Sequence, residues 1–201
     1  MTKEATRYAD TFLGDSLTRG YDVPYGQGWV ELLEKKLYPH TCYNAGVDGA
    51  SLQAITLLWE RYRTQSSFGA VWVMGGTNDI LQGRTADDCL RKLKSLIEMI
   101  QTDTKKRIPI IVGLPLPIEG GLDEEEKVMD DYATKLEAYC REQDLPYVDF
   151  YGPLKEALRQ GKGIFAGDVH PNARGYAMMY EIARPVMEFV LAHNKRHLAT
   201  T

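Results

Sequence analysis

Five short strand-like runs alternate along this chain with longer stretches of helical periodicity, and that alternation limits the fold more than any other feature. The runs are Tyr8 to Leu13, Thr41 to Asn44, Ala70 to Met74, Ile108 to Val112 and Tyr147 to Phe150. Ala70-Val71-Trp72-Val73-Met74 is apolar throughout, as a strand covered on both faces must be. Between the runs, Trp29, Leu32, Leu33, Lys36 and Leu37 mark one helix, broken before Pro39, and Leu52, Ile55, Leu58, Trp59 and Tyr62 mark a second. Further helices are expected over Ala86 to Gln101, Glu124 to Glu142, Pro153 to Arg159 and Gly175 to about Ala192. The acidic start of the Glu124 helix suits the macrodipole. Strand–helix alternation of this kind builds a parallel sheet with helices on both faces. No repeat, low-complexity stretch or linker divides residues 1–201, so a single domain is expected, with a frayed tail after about residue 193.

Composition narrows the functional classes. The formal net charge is −4, and no basic block marks a nucleic-acid partner. No apolar run reaches membrane-spanning length. The N-terminus lacks the apolar core of a secretory signal, which leads us to expect a cytoplasmic location, although a leader already removed would leave the same start. Cys42, Cys89 and Cys140 are too scattered for a disulfide framework or a zinc site and read as buried free thiols.

Three strand ends carry glycine and small polar residues: Gly14-Asp15-Ser16-Leu17, Asn44-Ala45-Gly46 and Gly75-Gly76-Thr77-Asn78-Asp79. A fourth polar knot, Asp168-Val169-His170-Pro171-Asn172, precedes the last helix. In a parallel sheet the C-terminal strand ends are neighbours and form the ligand-binding crevice. The first three segments therefore converge by topology, and the fourth can return over the same edge. Taken alone, Ser16 is most simply an N-cap, Gly46 a turn glycine, Asn78 a cap and His170 a loop histidine stacked on Pro171. Together their chemistry is complementary. Ser16 offers a nucleophilic hydroxyl, and His170 a base suited to neutral pH. The Ser16 N–H, the Gly46 N–H and the Asn78 amide can hold a tetrahedral oxyanion.

These four blocks, in this order, resemble those of the GDSL family of SGNH hydrolases, and the resemblance spans nearly the whole chain. It implies a three-layer, flavodoxin-like fold on a five-stranded parallel sheet. It also implies hydrolysis of esters, thioesters or acetylated groups, with Ser16 as nucleophile and His170 as base. Ser16, Gly46 and Asn78 become the oxyanion donors. The family usually places an aspartate three residues before the histidine; here Gly167 holds that position and Asp168 stands two before. Asp168 is the expected acid, with a main-chain carbonyl near Gly167 as the alternative partner of the imidazole.

The expected protein is thus a serine ester hydrolase acting on a small-molecule ester, with no cofactor and no metal required. Short acyl esters, lysophospholipids and acetylated carbohydrates all fit, the choice resting on Thr18 to Gly28 and on Leu114 to Leu122, of which Leu114 to Gly121 reads as a mobile loop. A ligand-binding module on the same fold, degraded around Gly167, is the other reading. A flavin carrier is disfavoured because the first loop lacks a phosphate cradle. His193 and His197 have metal-compatible spacing but no third ligand, and His40 reads as a surface residue with no acid nearby. Gly-x-Ser-x-Gly and the P-loop motif are absent.

Overall fold

A computed structural model describes residues 9–64, 68–120 and 123–198. Its five strands are β1 (Ala9–Gly14), β2 (Thr41–Gly46), β3 (Phe68–Val73), β4 (Ile110–Gly113) and β5 (Tyr147–Val148). They form one sheet in the order β2-β1-β3-β4-β5, and every pairing is parallel. The helices are α1 (Ser16–Arg19), α2 (Trp29–Leu37), α3 (Leu52–Tyr62), α4 (Thr77–Leu81), α5 (Ala86–Asp103), α6 (Asp123–Glu142), α7 (Tyr151–Arg159) and α8 (Ala173–Leu198).

Successive side chains of a strand point to opposite faces, so the sheet feeds two cores. Leu13, Val71, Val73, Ile110 and Val112 join Ile55, Trp59, Leu93, Ile97, Met129 and Leu136 of α3, α5 and α6. Phe12, Trp72 and Ile111 join Trp29, Leu33, Leu154, Tyr176 and Met179 of α2, α7 and α8. Phe12 stacks on Trp72 with centroids 5.0 Å apart, and Trp29 meets Phe12 edge-on at 5.4 Å. Such aromatic pairs contribute about 0.5–1.5 kcal/mol beyond the area they bury. All three cysteines are free and buried.

Several expectations need correction. The Leu114 stretch is packed, not a mobile loop: Leu114, Leu116 and Ile118 are all buried. Tyr8, Ser66, Ser67, Gly121 and Leu122 lie outside the described residues. The last helix runs past Ala192 to Leu198. His40 has an acid beside it, since its Nε2 lies 3.3 Å from Oδ2 of the fully buried Asp10. Among the described residues no helix is long and apolar enough to cross a membrane.

Candidate active site

Ser16 opens α1 directly after β1. Asp15 caps that helix, its Oδ1 accepting from the Leu17 N–H at 2.9 Å. The chain then turns so sharply that a Cβ at Gly14 would fall 2.0 Å from Thr18 Oγ1. Close approach is what demands glycine there. Trp29 Nε1 donates to the Leu17 carbonyl at 3.0 Å and anchors α1 to α2.

His170 comes from the far end of the chain. An isolated bridge between Phe165 and Pro171 folds its loop back, and the Ala166 N–H donates to the His170 carbonyl at 2.8 Å. Asn172 closes the turn, accepting from the Arg174 and Gly175 N–H groups and donating to the Gly163 and Phe165 carbonyls. The outcome is a hydrogen-bond distance of 3.0 Å between His170 Nε2 and Ser16 Oγ. The Tyr21 ring packs against the imidazole with centroids 4.6 Å apart. Burial holds the His170 pKa below the ordinary imidazole value, opposed by the negative fields of Asp22 and Asp48. A neutral imidazole is the form that can take a proton from a hydroxyl.

Asn78 sits in α4, behind the β3 end. A side chain at Gly76 (φ +114°) would collide with Tyr132, whose hydroxyl donates to the Gly75 carbonyl at 3.0 Å. Asp79 secures the segment on its other side. Its carboxylate accepts from the Leu52 N–H and pairs with Lys92, both at 2.7 Å. Asn78 Nδ2 donates to the Ala50 carbonyl at 3.1 Å and faces Asp15 Oδ2 at 3.5 Å.

Two expected members are placed otherwise than the sequence suggests. The Gly46 N–H already donates to Asn44 Oδ1 at 3.0 Å. Glycine is required at this position because a Cβ would fall 2.4 Å from the Arg19 nitrogen. Asp168 is exposed and makes no hydrogen bond to His170 among the described residues. Its carbonyl accepts from the Glu119 N–H at 2.6 Å, and its carboxylate lies toward Gly120. With Gly167 in the usual acid position, the one-residue shift turns the carboxylate outward. Gly49 is not singled out by the sequence reading. It takes a left-handed φ of +70° in the turn Val47–Ala50, and its N–H donates to no acceptor among the described residues. The Asp48-Gly49 pair, a strong turn signal, marked it.

This geometry can be set beside known proteins. The family model for the GDSL-like lipase/acylhydrolase family matches residues 12–178, which takes in Ser16, Asn78 and His170. The chain belongs to that family. A GDSL-family lipolytic protein from Veillonella parvula is 36% identical, with a TM-score of 0.83 over 90% of this chain and 98% of that one. Esterase TesA of Pseudomonas aeruginosa is 21% identical over 95% of this chain and 93% of its own length. Axe2, an acetylxylan esterase from Geobacillus stearothermophilus, shares the fold at a TM-score of 0.71 and 22% identity, covering 89% of this chain and 94% of that one. The GDSL fold thus accounts for both the sheet order and the junctions that carry Ser16, Asn78 and His170. Among the described residues no group of three or more His, Cys, Asp or Glu side chains could hold a metal.

Proposed function

We propose that this GDSL-family protein hydrolyses carboxylic esters through an acyl-enzyme on Ser16. The observation that carries the reading is the 3.0 Å contact between Ser16 Oγ and His170 Nε2, made across 154 residues of sequence. His170 takes the hydroxyl proton as Ser16 attacks the ester carbonyl. It then protonates the leaving alcohol and activates the water that releases the acid. The oxyanion is held by the Ser16 N–H and the Asn78 amide. From the second strand end we favour the Gly49 N–H, which has no acceptor among the described residues and precedes Ala50, whose carbonyl binds Asn78. Gly46 would serve only after releasing Asn44. Asp168 contributes little in this account, and the reacting pair is a Ser16–His170 dyad.

The substrate's leaving alcohol must lie on the His170 side, where it receives the proton. Tyr21, which packs on the His170 ring, also lines a cleft of about 330 Å³ with Arg19, Asp22, Val23, Pro24, Tyr25 and Glu31. The charged side chains among these, Arg19, Asp22 and Glu31, favour an ester of a hydroxylated alcohol, such as an acetylated carbohydrate, over a long-chain lipid. A panel of p-nitrophenyl esters of graded acyl length, with one acetylated sugar, tests this on wild type and Ser16→Ala. Turnover of short acyl esters that vanishes in Ser16→Ala is expected. Equal activity in both proteins would refute the nucleophile. No turnover in either would favour a binding module.

A further inference from the structure

Asp15 is almost wholly buried, with 1% of its surface exposed, yet no cation pairs with it among the described residues; the nearby Lys92 is held by Asp79. A buried carboxylate without a counter-ion is costly. Capping α1 does not require one, because asparagine is an equally good N-cap and carries no charge. What aspartate has and asparagine lacks is a second acceptor oxygen. Here Oδ1 takes the Leu17 N–H, and Oδ2 faces Asn78 Nδ2 at 3.5 Å. That amide nitrogen has two hydrogens. One is fixed by the Ala50 carbonyl at 3.1 Å, so the other must point between Asp15 Oδ2 and the space beside Ser16.

We infer that Asp15 is a positioning residue whose carboxylate orients the Asn78 amide toward the reacting carbonyl while capping the helix that carries Ser16. One buried group then sets nucleophile and oxyanion donor relative to each other. The contact is long for a hydrogen bond, so the amide hydrogen can be shared with a nearer oxyanion as negative charge develops. An asparagine in its place would keep its oxygen on Leu17 and turn an NH2 group against the NH2 of Asn78. The cap would survive and the orientation would not.

The inference rests on the reading of Asn78 as an oxyanion donor, and a double-mutant cycle separates the two. Wild type, Asp15→Asn, Asn78→Ala and the double variant are assayed with p-nitrophenyl acetate near pH 9, where Asp15 is ionised, since burial pushes its carboxyl up to about 7. Asn78→Ala should lower kcat by about a hundred- to a thousandfold. Asp15→Asn should lower kcat by about tenfold or more with KM little changed, within the range over which contacting residues couple, and should add nothing once Asn78 is alanine. Unchanged kcat in Asn78→Ala would sink the oxyanion reading itself. If Asn78→Ala is impaired but Asp15→Asn keeps full kcat, or loses equally in both backgrounds, the inference alone fails. Asp15→Ser, which also caps, provides a second route to the same cycle. Failure of both Asp15 variants to fold would make the carboxylate purely structural and would overturn the inference.

Discussion

His170 is held by packing and main-chain hydrogen bonds, and no carboxylate orients it among the described residues. Tyr21 lies against the ring, and the fields of Asp22 and Asp48 reach it through space. His170→Ala should therefore abolish turnover of p-nitrophenyl acetate, whereas Asp168→Ala should keep at least about a tenth of it, because a triad carboxylate contributes far more than that where it orients the base. Steady-state kinetics on both folded variants decide this. The neighbouring acids have their own signature. Each raises the His170 pKa, so Asp22→Asn should move the NMR titration of its ring protons to lower pH; an unmoved or upward-shifted titration would contradict the assignment. The convergence of Ser16, Asn78 and His170 was legible because each stands at a strand end or loop that topology brings to one edge. The outward position of Asp168 was not legible because spacing does not reveal which way an exposed loop turns. The bond from the Gly46 N–H to Asn44 was not legible, because a glycine needed for close approach to α1 looks in sequence like one needed for its N–H.

At the scale of elements, periodicity located the long helices well because each buries one continuous stripe. Short elements were less legible. α1 and α4 have four and five residues, too few to show a period, and α4 is held in place from outside, by Tyr132 at the adjoining Gly75 and by Leu52 and Lys92 on its Asp79. The segment after β4 is the instructive failure. Pro115 and Pro117 suggest a loop, and proline cannot donate to a ladder. Yet Leu114 and Ile118 enter the core on the α5–α6 side, while Leu116 enters the core on the α2–α8 side. Residues two apart on a strand share a face, so Leu116 breaks that alternation: past β4 the chain leaves strand geometry yet buries side chains in both cores. Leu116→Ala should therefore cost about 2–5 kcal/mol in urea denaturation, as removal of a buried leucine does. A cost below about 0.5 kcal/mol, as expected of an open surface loop, would contradict the packing.

For the whole molecule, catalytic geometry and stability meet at Asp15. Its carboxyl titrates near 7 in the folded protein because burial disfavours the charged form, whereas the unfolded chain has an ordinary value near 3.8. Between those values the native state binds the extra proton, so stability falls as pH rises from about 4 to about 7 and levels off above. Asp15→Asn removes that titration. Its Tm advantage over wild type should grow across this window and then stay constant; a difference independent of pH would mean that Asp15 is not buried as described. A variant that is more stable and less active would show the carboxylate retained for function at a cost in stability. The two-sided sheet that buries Asp15 also brings residues 16 and 170 together, and on that juxtaposition the whole account depends. Its most direct test is mass spectrometry of the folded protein after reaction with a fluorophosphonate probe. The account expects one adduct, on Ser16, formed by wild type and lost in His170→Ala. An adduct on another residue, or none on folded wild type, would contradict it.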